Sequence, residues 1–344
     1  MNDFIIGTSA LDDANSQLLK EAGIGWIRVG FPFPFSDRIG GSLTSEYLDA
    51  KVAVQAWAAR GFRLMGVTSI VGLGTYARDA EGQMHMTWKD FLPAWVGAVG
   101  SDEYLRNYQD MCAFLAQDLR GVVQMWQIAN ELDIPQFSGP LNLKKSCDLV
   151  LLGAQGFKSV DPALIVSTNT GGSPSAYYLY GRLFADPRCC LDYCGVDQYY
   201  GSWQDGSPDR WAARITELYD ITGVKVLVNE WGFSSAGEAM TPDEYRAVQL
   251  GAPSCQFKKW MYTWGKGHTP ESQAEYVRIA LESFHSQREK LLGFFFYRWE
   301  DQESCWQCGS PDCPIETAWG LVDKRSHPKP SFHTFQDGVK HLLE

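Results

Sequence analysis

Apolar positions gather in short runs separated by longer amphipathic stretches. Eight runs stand out, at 4–8, 26–29, 63–68, 122–128, 165–169, 193–199, 225–228 and 292–297. They are rich in Val, Ile, Leu and Phe and lack strict alternation, the pattern of parallel strands buried on both faces. Helical patterns follow them at 12–21, 45–59, 103–119, 143–159, 176–184, 209–219, 270–289 and 331–343. Leu105, Tyr108, Met111, Cys112 and Leu115 recur at helical spacing and predict a core-facing stripe. Ser101 and Thr269-Pro270 supply helix starts, and Gly121 follows a helix end.

Eight strands alternating with eight helices predict an α/β fold, a single (β/α)8 barrel over residues 1–344. An open doubly wound sheet is the alternative. It would usually carry a Gly-rich phosphate turn after the first strand, and Gly7-Thr8-Ser9-Ala10 is not one. The long connections, 31–44, 70–100, 129–141, 234–268 and 298–330, all follow strands, with the longest after strands three, seven and eight. In a barrel these gather at the C-terminal face, where active sites sit.

Composition narrows the chemistry. The net charge is −11, which disfavours nucleic acid, anionic membranes and polyanionic substrates. The longest apolar run, 291–297, is far short of the ~20 residues of a membrane span. No basic segment and long apolar segment open the chain, so no signal peptide is visible. The expectation is a cytoplasmic protein if Met1 is the native start, and a secreted one if a leader preceded it. The six His form no H-E-x-x-H and none falls at an expected strand end, so a zinc hydrolase or a Ser-His-Asp triad is disfavoured. There is no P-loop.

Carboxylates do fall at strand ends. The fourth run closes in Ala129-Asn130-Glu131 and the seventh in Asn229-Glu230-Trp231. Two glutamates on strands three apart face each other across a barrel mouth, as acetal hydrolysis requires: one acid for the leaving oxygen, one carboxylate on the opposite face of the sugar. Trp126-Gln127-Ile128-Ala129-Asn130-Glu131 resembles the Asn-Glu motif of clan A of the glycoside hydrolases, retaining β-glycosidases on a (β/α)8 barrel, and Val228-Asn229-Glu230-Trp231-Gly232 resembles its nucleophile motif. Arg28, Trp299 and the run Trp319–Asp323 match further marks of the clan. Gln198-Tyr199-Tyr200 resembles its sixth-strand His-x-Tyr, with Gln198 a departure from His.

The resemblance implies Glu131 as acid/base, Glu230 as nucleophile, Asn130 on the sugar 2-OH, and Arg28 and Tyr200 beside the nucleophile. It implies Trp299 as the floor of the site, Gln198 and Trp231 as further substrate contacts, a carbohydrate partner and no cofactor. The substrates expected are β-linked oligo- or polysaccharides, a β-glucan among them. A catalytically silent carbohydrate-binding barrel and a transglycosylase using the same glutamates stay open. Asp133, Asp197, Glu300 and Asp301 read as supporting groups. Nine of the 13 Trp (88, 95, 203, 231, 260, 264, 299, 306 and 319) fall in strand-to-helix segments, and are expected to line a cleft for sugar rings.

Nine Cys is an odd number, and most read as free thiols. Cys305, Cys308 and Cys313 have a spacing that would hold zinc only if a fourth ligand arrived from elsewhere; a local disulfide and free thiols are the alternatives, and no metal is the reading preferred here.

Overall fold

The computed structural model describes residues 4–10, 15–172 and 174–344. Its eight barrel strands are β1 (Ile5–Thr8), β2 (Trp26–Gly30), β3 (Arg63–Val67), β4 (Met125–Gln127), β5 (Ile165–Ser167), β6 (Cys194–Gln198), β7 (Val226–Trp231) and β8 (Leu291–Phe296). The helices after them are α1 (Ser16–Glu21), α2 (Ser45–Ala59), α3 (Asp102–Asp118), α4 (Leu143–Val160), α5 (Pro174–Ala185), α6 (Arg210–Thr222), α7 (Pro270–Ser286) and α8 (Pro330–Leu343). All ladders are parallel and join sequence neighbours, with β1 pairing β8. The seam between β5 and β6 is bridged by the Asp192 N–H on the Val166 carbonyl (2.9 Å) and the Asp197 N–H on the Thr170 carbonyl (2.7 Å). The expected barrel is therefore present. The start of the first expected helix, 12–14, lies outside the described residues.

The helix starts follow the sequence signals. Ser101 and Thr269 accept from the N–H groups of Tyr104 and Ser272, both at 3.1 Å. The predicted stripe of α3 is buried throughout. The loops hold structure that the pattern did not predict: an antiparallel hairpin, Gly72–Arg78 with Met84–Asp90, and short helices at Pro135–Ser138, Pro242–Gln249, Ser254–Phe257 and Pro314–Thr317. Among the described residues, no helix is long and apolar enough to cross a membrane.

Inside the barrel the side chains stack in layers. Ile5, Trp26, Met65, Met125, Tyr193, Leu227 and Phe295 form a buried apolar plug. Two residues further along their strands, the alternation of a pleat brings up Arg28, Gln127 and Asn229. These are linked to one another by hydrogen bonds and make a polar layer above the plug. The barrel is thus sealed below and polar above, at the end where the long loops meet.

Candidate active site

Glu230 stands at the end of β7 on a bulge. The ladder with β6 pairs Val196 with Val228 but Asp197 with Glu230, and the ladder with β8 skips at the same place. The extra residue lets Asn229 and Glu230 both serve the interior and turns Trp231 outward. Trp231 is fully buried among Phe284, Phe294, Phe296 and Phe335, between the sheet and the helices. The expectation that it contacts substrate is corrected accordingly.

Arg28 organises the polar layer. Its guanidinium meets Glu230 at 2.6 Å, the Gln127 side-chain carbonyl at 3.0 Å and the Asn130 side-chain carbonyl at 3.0 Å. Burial opposes its charge, but Glu230, Asp197 and Tyr199 outweigh that and hold its pKa above the usual value. Gln127 is fully buried and ties three strands together: its oxygen accepts from Arg28 and Asn229, and its amide donates to Asn130. The Asn130 oxygen receives Arg28, Gln127 and Asn169 together, so its amide is the end left to face the cleft.

Glu131 sits across the mouth in a different setting. Ala129 (φ 53°) and Glu131 (φ 43°) both adopt left-handed backbone, rare away from glycine. The turn is held from three sides: Thr68 Oγ1 accepts from the Ala129 N–H, Thr168 Oγ1 donates to the Ile128 carbonyl, and Asn169 Oδ1 accepts from the Glu131 N–H. A Cβ on Gly171 would come within 3.0 Å of the Glu131 carboxylate and 2.1 Å of Ile134, so only glycine leaves room there. Burial, then the charges of Glu230 and Asp133, push the Glu131 pKa well above the carboxylate range; Arg28 pulls the other way and does not win.

The tyrosine beside Glu230 is Tyr199. Its hydroxyl donates to the Glu230 carboxylate. Tyr200, the residue expected there, instead donates to the Gln198 side-chain oxygen at 2.9 Å and packs on Trp211. Gln198 also turns outward and accepts from Arg214 at 3.0 Å. The reason is parity. Asp197 points inward to Asn169, so Tyr199 does too, while Gln198 and Tyr200 share the opposite face. The sixth-strand pattern thus falls on Asp197-x-Tyr199, one residue earlier than expected.

Trp299 is a further correction. It is buried to 1% exposure against Phe332 and does not floor the cleft. Tyr297 takes part in the wall instead. The cavity at the barrel mouth, about 350 Å³, is lined by Asn130, Glu131, Ile134, Gln136, Phe137, Tyr199, Trp203, Gln204, Glu230, Ser254, Tyr297, Trp306, Gln307 and Glu316. Of the nine loop tryptophans, Trp203 and Trp306 line it, whereas Trp231, Trp260, Trp299 and Trp319 are core. A second cavity of about 350 Å³ adjoins it, sharing Asn130 and Glu230 and reaching Ser9, Arg28 and Gly30.

Glu316 escaped the sequence reading. It is buried, accepts from Gln307 Nε2 at 2.7 Å and from the Tyr297 hydroxyl at 3.1 Å, and burial pushes its pKa up to about 8. A carboxyl raised from about 4.5 when unfolded to about 8 when folded is neutral in the native state. Its stabilisation is complete below pH ~4.5 and is lost as pH rises through about 8. Glu316→Gln should therefore flatten the fall in melting temperature over that window and gain most on the wild type at its alkaline end. Thermal melts from pH 4.5 to 9 check this; parallel curves for the two proteins would refute it.

No protein-family model matches the chain. No curated protein sequence matches it. Solved structures do match in fold. A GH2 β-galacturonidase from Eisenbergiella tayi, bound to galacturonate, superposes with a TM-score of 0.60 at 16% identity, over 98% of this chain and 51% of that one. The AHE enzyme from Alicyclobacillus herbarius superposes at 0.65 and 13% identity, over 100% of this chain and 98% of that one. The β-glycosidase BGL167 gives 0.65 and 13%, over 99% and 97%. The chain thus spans about half the length of the galacturonidase and nearly all of the other two, and it shares their barrel fold.

Proposed function

We propose that this protein is a retaining β-glycosidase of clan A that acts on neutral, β-linked oligo- or polysaccharides, β-glucans included. The observation that carries the reading is the unequal setting of two carboxyls at one barrel mouth. Glu230 is held by the Arg28 guanidinium and the Tyr199 phenol, which fix it at the barrel mouth in the position a nucleophile needs. Glu131 is buried with its pKa raised, which favours the protonated form an acid needs. The carboxyl paired with Arg28 is read as the nucleophile and the buried one with the raised pKa as the acid. Glu230 attacks the anomeric carbon while Glu131 protonates the departing glycosidic oxygen; Glu131, now a base, then activates the water that releases the sugar. The Asn130 amide is placed to donate to the sugar 2-OH, because its oxygen is already occupied.

A neutral substrate follows from the cavity lining. Among the described residues, the lining contains Glu131, Glu230 and Glu316 and no Lys, Arg or His. A uronate carboxylate would enter that cavity without a cation to pair with, since Arg28 is already bound to Glu230, and an unpaired charge is costly to desolvate. Neutral aryl β-glycosides should therefore be cleaved at least ~100-fold faster, in kcat/KM, than the matching β-glucuronide or β-galacturonide, a preference opposite to that named for the galacturonidase neighbour. The two adjoining cavities, which share Asn130 and Glu230, favour a substrate longer than one sugar. A panel of neutral and uronic aryl glycosides, with NMR of the first-formed anomer, tests both points. Preference for the uronides, or an α-anomer as first product, would overturn the reading.

Tyr199 and Tyr200 provide a sharper check. Removing a hydrogen bond to a charged group costs ~1.5–3 kcal/mol, so Tyr199→Phe should lower kcat/KM by roughly 10- to 100-fold. Tyr200→Phe should stay within about two-fold, because its hydroxyl bonds Gln198 on the far side of the sheet. The opposite ranking would mean that Tyr200 is the active-site tyrosine.

A further inference from the structure

The fourth ligand missing from the Cys305, Cys308, Cys313 series is present in the fold. Cys255, from the short helix Ser254–Phe257 in the loop after β7, enters the same cluster, and all four Sγ atoms lie within 4.8 Å of one another. We propose that these four cysteines bind one zinc ion in a closed, structural tetrathiolate site, and that the ion clamps the β7 and β8 loops into one wall of the cleft.

Geometry argues first. A tetrahedron with Zn–S bonds of ~2.3 Å has S···S edges of about 3.8 Å. The Cys255 and Cys305 sulfurs stand 3.8 Å apart, well beyond the ~2.05 Å of a disulfide. Disulfides would join the four in two pairs and give no reason for all of them to be mutual neighbours. The backbone argues next. Cys305-x-x-Cys308 closes on Gly309, which has φ 73° and donates its N–H to the Cys305 carbonyl at 2.7 Å. The N–H groups of Cys308 and Ile315 are directed at the sulfurs of Cys305 and Cys313. Such N–H···S contacts orient ligands and stabilise thiolates around a metal. Three of the four cysteines are buried, packed with Tyr199, Trp260, Ile315 and Trp319, and all four positions of the tetrahedron are filled by sulfur. That is the donor set of a structural zinc site, with no open position for catalysis.

The consequence for the cleft is local. Ser254 precedes Cys255, Trp306 and Gln307 lie between Cys305 and Cys308, and Glu316 follows Cys313 by three residues; all four line the cavity at the barrel mouth. Two loops from different strands, about fifty residues apart in sequence, are thereby fixed relative to each other.

The test does not depend on glycosidase activity. Intact protein purified without chelator should carry close to one zinc per chain by plasma mass spectrometry. X-ray absorption at the zinc edge should give four sulfurs at ~2.3 Å and no nitrogen or oxygen. Cys255→Ser should weaken zinc retention against a chromophoric chelator by at least ~10-fold, the lower range seen even when only a supporting partner of a ligand is removed. Cys190→Ser, a change remote from the cluster, should not. Should the Cys255 variant fail to fold, thiol counting on denatured, chelator-treated wild type serves in its place: nine reactive thiols are expected. Seven or five thiols would mean disulfides, and substoichiometric zinc after anaerobic reconstitution, or a mixed ligand shell, would equally overturn the site.

Discussion

Glu230→Ala should abolish turnover of every β-glycoside, whatever its leaving group. Loss of a nucleophile from a preorganised site costs on the order of 10⁴- to 10⁶-fold in kcat. Among the described residues, no neighbouring carboxyl is placed to replace it: Asp197, the nearest candidate on the adjoining strand, is fully buried and bonded to Asn169. The change leaves the Arg28 guanidinium without its carboxylate and opens space in front of it. A small anion such as azide is suited to that space. It would attack an activated β-glycoside from the face Glu230 occupied and give the α-glycosyl azide, whereas the wild type gives none. Matched melting temperatures for the variant and the parent separate lost chemistry from lost fold. Residual hydrolysis within ~100-fold of wild type would rule out Glu230 as the nucleophile.

Much of this arrangement was legible in the sequence because it rests on local pattern. Buried parallel strands read as short apolar runs, and Asn130-Glu131 and Asn229-Glu230 each sit where a run ends, so the strand order and the meeting of Glu131 and Glu230 at one cavity followed from position along the chain. Arg28 lies inside its run as a charge that needed a partner, and it has Glu230. What failed did so at single-residue parity. The bulge at Asn229 and Glu230 places Trp231 on the outer face, and no residue type in that stretch announces a bulge. Tyr199 and Tyr200 are chemically identical, so only the inward direction of Asp197 decides between them.

Tryptophan misled for another reason. Loop position does not imply cleft position, because long loops on a barrel build small cores of their own, and the largest side chains fill them. Trp260 and Trp319 are buried with Tyr199 and the cysteines, behind the cleft wall rather than on it. The supporting groups were invisible for the opposite reason, that nothing in them is unusual. Gln127 and Asn169 are ordinary amides until the barrel closes and each is found bonded to Asn130. Cys255 is the plainest case: the need for a fourth ligand could be stated from spacing, but its identity required a loop from another strand to be brought alongside.

Glu131→Ala should behave differently from Glu230→Ala, and the contrast is the strongest test of the division of labour. An acid contributes ~10²- to 10⁴-fold where the leaving oxygen must be protonated, and little where it departs as a stable anion. The variant should therefore lose that factor on an oligosaccharide but form the glycosyl intermediate on Glu230 quickly from a dinitrophenyl glycoside, then stall, because no base activates water. Azide needs no base. It should restore turnover and give the β-glycosyl azide, the anomer opposite to that from Glu230→Ala, since the two carboxyls serve opposite faces of the sugar. The pH profile should change with it. Burial and neighbouring negative charge raise the Glu131 pKa, so the protonated acid persists above the usual carboxylate range, and wild-type kcat/KM falls as pH climbs through that raised value. In Glu131→Ala, with the dinitrophenyl substrate, that alkaline limb should vanish. Equal losses on both substrates, no azide rescue and an unchanged alkaline limb would together assign the acid to another residue, and Glu316, a neutral carboxyl lining the same cavity with a pKa of about 8, would be the one to examine next.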